Sequence, residues 1–249
     1  MDLGLQGRVA LVTGASKGIG AAIAAALAAE GASVAISSRS RERIDAAASA
    51  IGATGFAWDS ADVQGAAGLV AAVGEALGPV DVLVCNTGGP PSGPDALAFG
   101  VADWEAAHRT LVLAPMALVA AAVPGMRERR WGRVLNVVST TAREPVPALM
   151  LSNSHRAAML AAFKTVARQV AADGVTLNSV LPGRIDTDRL AELSGSAEAA
   201  RAAAQQDVPA GRLGTVEEFA AAAAFLCSAP AGYVTGAVLP VDGGLLRGI

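Results

Sequence analysis

Short runs of β-branched and aliphatic residues alternate along this chain with alanine-rich stretches of helical length. Runs of the first kind, nearly continuous in Val, Ile and Leu, are those of strands buried on both faces, and their alternation with helices is the mark of repeated β-α units. The pattern predicts seven strands, over residues 9–13, 33–37, 55–58, 80–85, 133–138, 176–181 and 237–241. Helices are predicted to start near Gly18, Arg41, Val63, Asp103, Ser152 and Val216, with a helical excursion across 191–207. Thr215 followed by Glu218 forms a capping box that fixes the start of the last helix. The expected fold is α/β: a doubly wound, seven-stranded parallel sheet with helices on both faces. No internal repeat or linker interrupts the alternation, so residues 1–249 are expected to form one domain.

Composition sharpens this picture mainly by its apolar excess. The chain is 53% hydrophobic, with a mean hydropathy of +0.45, so a membrane span has to be considered. The longest nearly uncharged run, 111–126, is shorter than the roughly 18 to 20 residues a bilayer requires, and Pro115 and Pro124 interrupt it. A helix buried by its sheet and by a partner subunit accounts for it better. The first seven residues lack the basic start and apolar stretch of a secretory signal. Two cysteines, Cys85 and Cys227, make no CxxC, and two histidines make no metal cluster. Both cysteines read as core residues of a cytoplasmic protein. The net charge of −3 comes without a basic block. Nucleic acid and anionic membrane are therefore not expected partners, and a small molecule is.

The chemistry begins at the end of the first predicted strand. Thr13-Gly14-Ala15-Ser16-Lys17-Gly18-Ile19-Gly20 runs from strand through a glycine turn into a helix. Gly14 permits the turn, Gly18 lets the backbone approach a pyrophosphate, and Gly20 lets helix and strand close up. The helix start then offers unpaired N–H groups and a positive dipole end to phosphates. Strand, turn and helix in that order form the context that gives a glycine triplet its meaning as a Rossmann dinucleotide site. About 20 residues further on, an NAD site usually carries a carboxylate for the ribose hydroxyls. This chain has Ser37-Ser38-Arg39 instead. Arg39 offers a planar fork to a 2′-phosphate and Lys17 a second positive charge, which points to NADP(H); the alternative is that Arg39 is a solvated loop charge.

These residues resemble the short-chain dehydrogenase/reductase family, its 3-oxoacyl-acyl-carrier-protein reductase-like members above all, from Gly7 to Gly244. The glycine turn matches the family's TGxxxGxG. Asp59, beside Ser60, matches the acid that holds the adenine. Asn86-Thr87-Gly88 resembles the Asn-Ala-Gly element, and the segment from Asn178 through Pro182, Gly183 and Ile185 to Thr187 resembles the one that binds the nicotinamide carboxamide. Val241-Asp242-Gly243-Gly244 resembles the C-terminal signature. The resemblance implies a cytoplasmic oxidoreductase that forms a homotetramer or dimer through the helices over 103–126 and 152–173.

The family's chemistry rests on Asn, Ser, Tyr and Lys. Ser139 supplies the serine. Thirteen residues on, where the tyrosine belongs, stands Ser152; four further, in place of lysine, stands Arg156; seven past Trp104, in place of asparagine, stands Leu111. The chain's one tyrosine, Tyr233, lies in the C-terminal segment. A serine hydroxyl is a far weaker acid than a phenol of pKa about 10 held beside a lysine. Arg156 can bind the nicotinamide ribose and stabilise developing negative charge, but relays protons poorly. Relative to Ser152, a helical step of about 100° puts His155 near about −60° and Arg156 near about +40°, on one face. His155 is thus a candidate replacement acid, or else a packing residue. Arg143 and Glu144 either meet a charged substrate or are a solvated loop pair. Three functions follow: NADPH-dependent reduction of a 3-oxoacyl-like carbonyl, a non-redox isomerase, cyclase or dehydratase on the same pocket, or a catalytically silent NADP(H)-binding protein.

Overall fold

A computed structural model of the chain describes residues 1–248. All seven predicted strands form and pair in parallel in one sheet: β1 (Val9–Thr13), β2 (Ser33–Ser38), β3 (Thr54–Ala57), β4 (Val82–Cys85), β5 (Gly132–Val137), β6 (Val175–Pro182) and β7 (Val238–Val241). Their order is β3-β2-β1-β4-β5-β6-β7. The chain winds outward from β1 in one direction and from β4 in the other, so a crevice opens between the carboxyl ends of these two strands.

Alternate residues of the inner strands feed two separate cores. Ala10 and Val12 of β1 and Val82 and Val84 of β4 face a layer containing Ile23, Leu27, Ile44 and Phe219. These four side chains come from α1 (Gly18–Ala29), α2 (Arg41–Ile51) and α9 (Val216–Leu226). Val9, Leu11, Leu83 and Cys85 face the opposite layer with Val73, Leu118, Met126 and Phe163. That layer is built by α3 (Ala66–Leu77), α5 (Ala114–Glu128) and α6 (Met150–Val170). The period of two in a strand buried on both faces is what demanded the unbroken apolar runs in the sequence.

Several boundaries differ from expectation for local reasons. The third helix starts at Ala66 rather than near Val63, because Asp62 Oδ1 accepts the Gly65 N–H and holds a turn before it. The helix α4 (Val101–His108) starts before Asp103, whose carboxylate reaches back to the Gly100 N–H. Likewise α6 starts two residues before Ser152. The excursion across 191–207 is two helices, α7 (Asp188–Ser194) and α8 (Ala197–Asp207), split at Gly195 with φ +87° and restarted by a Ser196 cap.

The helix expected over 103–126 is not regular either. A π turn, Arg109–Leu113, separates α4 from α5, with the Ala114 N–H bonded to the Arg109 carbonyl. Pro115 has no N–H to offer the Leu111 carbonyl one turn back, which loosens the ladder there. The whole stretch Val101–Glu128 has a window of mean hydropathy 1.6 and is long enough to cross a bilayer, longer than the interrupted run suggested. Its apolar residues Ala114, Leu118, Val119, Ala122, Val123 and Met126 are spent on the second core.

Cys85 at the end of β4 and Cys227 after α9 are buried, and burial pushes both thiols up to about 12. At pH 8 the reactive thiolate is then about one part in ten thousand. The native protein is expected to give no reaction with an aromatic disulfide over minutes at pH 8, and two thiols per chain in denaturant. Prompt reaction of the native chain would contradict this packing.

Candidate functional site

The glycine turn lies at the β1 end of the crevice. Gly14 (φ +58°) and Gly18 (φ +60°) have left-handed backbones, the conformation glycine adopts without strain. A methyl group on Gly14 would stand 2.6 Å from the Asn86 carbonyl oxygen, and one on Gly20 2.5 Å from the Gly14 carbonyl oxygen. The turn is stapled to the end of β4: Thr13 Oγ1 donates to the Asn86 carbonyl (2.9 Å) and accepts the Asn86 N–H (3.1 Å), while Asn86 Nδ2 donates to the Gly14 carbonyl (2.9 Å). The Asn86 side chain, expected from the resemblance to serve the cofactor site, shapes the turn by this bond. Thr13, which the sequence reading passed over, is its partner.

The helix α1 that follows has no side-chain cap at Lys17 and no acid in its first turn. By contrast α2, α7, α8 and α9 are capped by Ser40, Thr187, Ser196 and Thr215. An uncapped N-terminus with its N–H groups facing a cleft fits a phosphate. Ser16 and Ile19 lie in this turn, partly exposed. At the end of β2, Ser37 Oγ is buried with no hydrogen-bond partner, and Arg39 is exposed beyond it. Asp59 and Ser60, past β3, are partly exposed, and Asp59 Oδ1 accepts the Ala61 N–H (2.9 Å). The residues present fit a dinucleotide: an uncapped helix start, a cradle that methyl groups would fill, and an orphaned hydroxyl at the edge of β2.

The segment after β6 closes over the turn. Pro182 ends the strand, and a methyl on Gly183 would meet Asp242 Cβ at 2.6 Å, so this glycine allows the approach of the C-terminal signature. The Ile185 side chain is buried in the first core. Thr187 caps α7 through the Leu190 N–H, and its methyl lies near Gly18. Lys17 Nζ binds Asp188 Oδ2 at 2.8 Å, which holds the Asp188 carboxyl below its ordinary value. Gly88 faces open space beside the crevice, and next to Gly89 the Arg189 guanidinium donates to the Pro90 carbonyl at 3.2 Å.

Deeper in, Ser139 follows β5. Its Oγ accepts both the Thr141 N–H (3.2 Å) and the Thr141 hydroxyl (3.1 Å), which leaves its own hydrogen for another acceptor. Ser152 Oγ accepts from Arg156 Nε at 3.1 Å and is in the same position. Arg156 Nη1 donates to the carbonyls of Val137 (3.0 Å) and Val138 (2.8 Å). This fork locks α6 to the end of β5 beside Ser139. Loss of hydration, with the Arg189 charge adding, lowers the Arg156 guanidinium to about 10. It stays charged at neutral pH.

His155 is not brought to this cluster. It is buried, with Nδ1 2.7 Å from the Leu151 carbonyl, and its ring packs against Trp104 (5.5 Å between centroids) and His108 (5.7 Å) of α4. Packing is the role this geometry supports, and the helical face shared with Ser152 was broad enough to mislead. Glu144 accepts from the Arg247 and Gly248 N–H groups, so the C-terminus folds onto the loop after Ser139. Leu111 is buried in the π turn.

Comparison with known proteins agrees with this architecture. The family model described as enoyl-(acyl carrier protein) reductase matches residues 14–246. The 3-oxoacyl-[acyl-carrier-protein] reductase of Vibrio harveyi is 35% identical over 247 residues, covering 98% of this chain and 99% of that protein. L-Sorbose reductase from Gluconobacter frateurii, solved with NADPH and L-sorbose, superimposes with a TM-score of 0.94 at 31% identity over the whole of both chains. A 3-oxoacyl (acyl-carrier-protein) reductase from Agrobacterium tumefaciens with NADP bound gives 0.91 at 32% identity, over 98% of this chain and 96% of that one. Matched in sequence and in fold along nearly its full length, the chain belongs to the short-chain dehydrogenase/reductase family.

Proposed function

We propose that this chain, one domain over 1–249, is an NADPH-dependent reductase of a 3-oxoacyl-like carbonyl that works with an atypical catalytic set, Ser139, Ser152 and Arg156. The observation that carries the reading is the Arg156 fork, which bonds the Ser152 hydroxyl and the carbonyls of Val137 and Val138, the two residues that lead into Ser139. Bound NADPH supplies the hydride that reaches the carbonyl carbon. The Ser139 and Ser152 hydroxyls orient the carbonyl oxygen, and Arg156 stabilises the negative charge that develops on it. Water supplies the proton that completes the alcohol, because neither serine is acidic enough to do so and Arg156 does not release one near pH 7.

Gly14, Ser16, Gly18, Ile19 and Gly20 with the start of α1 would hold the pyrophosphate; Asp59 and Ser60 the adenine; Gly88, Pro182, Gly183 and Thr187 the nicotinamide half. Arg39 and Lys17 would take the 2′-phosphate. NADP-bound relatives, and the lack of an acid at the end of β2, support this choice. Titration of NADPH by fluorescence, followed by its absorbance with 3-oxoacyl thioesters, ketones and quinones, tests the reading. Tight binding with no turnover of any of them would favour a silent binding protein or non-redox chemistry instead.

Lys17 reaches a phosphate only by leaving Asp188. Asp188→Asn is therefore expected to tighten NADPH about twofold to fivefold, the size of one exposed ion pair, with NADH unchanged. Equal effects on both nucleotides would remove Lys17 from the phosphate site. A second copy of the chain is the expected partner, packed over α4 to α6, where Val101 and Leu113 are exposed. Light scattering at the mass of a monomer would count against it.

A further inference from the structure

Several hydroxyls in this chain give their hydrogen to backbone carbonyls. Thr110 and Thr165 donate one turn back, to Ala106 and Ala161, while Thr13 donates to Asn86 and Ser228 to Phe225. Thr141 does not. Among the described residues its Oγ1 has one partner, Ser139 Oγ at 3.1 Å, and this is the one bond between two hydroxyls. Thr141 is buried, whereas Ser139 is partly exposed. Burying a hydroxyl is unfavourable unless it is bonded, and a valine would fill the same space without that cost. What distinguishes threonine here is its effect on Ser139.

A hydroxyl oxygen has two lone pairs and one hydrogen. The Thr141 N–H, 3.2 Å from Ser139 Oγ, occupies one lone pair, with Ser139 capping the short 3-10 turn Thr140–Ala142. The Thr141 hydroxyl occupies the other. Two hydroxyls can exchange the roles of donor and acceptor. Once Ser139 donates to a ligand, however, the hydrogen between the two oxygens can come only from Thr141. Ser139 is then left with its own hydrogen as its one free group. Ser152 differs, because it accepts one bond, from Arg156 Nε at 3.1 Å, and keeps a lone pair as well as its hydrogen.

We propose that Thr141 is a positioning residue that makes Ser139 a one-way donor to the substrate oxygen on which negative charge develops. As hydride reaches the carbonyl carbon, the π pair moves to the oxygen and the hydrogen bond from Ser139 shortens. Electron density rises on Ser139 Oγ, and the two Thr141 donors stabilise it. Water then protonates the oxygen to give the alcohol. The Thr141 bond strengthens in the transition state more than in the ground state, so it acts on kcat rather than on KM. The reaction is taken from the reductase reading; the donor arrangement is not, and it can be probed without turnover.

The probe is 4-nitrophenolate at pH 8, a coloured oxygen anion whose absorbance band shifts when it is hydrogen-bonded, titrated into the full chain. Thr141→Val keeps the N–H and the shape and removes the hydroxyl. It should bind the phenolate about threefold to tenfold more weakly than the parent, the size of one hydrogen bond between neutral groups, and melt no lower. Thr141→Ser should recover at least half of the loss. In a Ser139→Ala background, where Ser152 and Arg156 still bind the anion, Thr141→Val should change nothing further; a role in packing alone would give the same loss in both backgrounds. Reduction of a 3-oxo ester should show the same fall in kcat, with KM within about twofold. Equal phenolate binding or equal kcat in Thr141→Val and the parent, an equal loss in both backgrounds, or no phenolate binding by the parent overturns the proposal. The expected phenolate pattern with no turnover of any ester would sink the reductase reading and leave Thr141 as the residue that directs Ser139.

Discussion

Gly14→Ala is expected to weaken NADPH binding by more than about a hundredfold and to lower thermal stability. Two costs combine. The backbone at this position is left-handed, φ +58°, which costs an L-residue about 1 to 2 kcal/mol. The new methyl would also stand 2.6 Å from the Asn86 backbone oxygen and 3.0 Å from its Nδ2. A backbone carbonyl cannot swing aside as a flexible side chain can, so the turn must move away from β4 and break the Thr13 and Asn86 staples. The α1 N–H groups then no longer point where a pyrophosphate would lie, and misplacement by an ångström forfeits oriented hydrogen bonds. Gly68→Ala is the control. That glycine sits in α3 with nothing within 4 Å of the added carbon, and alanine there should raise stability by about 0.5 to 1 kcal/mol without touching nucleotide affinity. If Gly14→Ala bound NADPH like the parent, the glycine turn would not be the phosphate cradle.

The sheet was legible because its central strands β1, β4 and β5 are buried along their whole length and have to be largely apolar; β1 was predicted to the residue. The glycine turn was legible because its meaning depends on order along the chain. Features set by distant partners were not. Nothing near Lys17 in sequence announces Asp188, which reaches it from α7. His155 shares a helical face with Ser152, but whether that face meets the cleft or α4 depends on how α6 packs, and Trp104 and His108 decide it. The Ile185 side chain ends in the core because the segment after β6 bridges to Gly214. Arg189 escaped notice because only the closing of α7 over the loop after β4 brings it to Pro90. The signal that was available, two basic residues, Arg184 and Arg189, flanking Thr187, reads as ordinary surface charge until the fold brings one of them to the cleft.

Restoring a phenol and an amine to α6, Ser152→Tyr with Arg156→Lys, is expected to raise the turnover of neutral 3-oxo esters at least about tenfold over the parent. A tyrosine ordinarily near pKa 10 is drawn down by an adjacent cation and can give its proton to the product oxygen, which no group now in the cluster does near neutral pH. The two changes must be made together. Arg156→Lys alone replaces a fork that satisfies Ser152 and the Val137 and Val138 carbonyls with a single ammonium, and should cost about 1 to 3 kcal/mol of stability through the buried acceptors it leaves short. Ser152→Tyr alone sets a bulky ring against Arg156 at a position that is only 8% exposed. Turnover of the double variant should then follow the titration of one new acidic group, absent from the pH profile of the parent. A double variant that folds, binds NADPH and reduces no 3-oxo ester would mean that the substrate does not place its carbonyl at this cluster, and the reductase reading would fall with it.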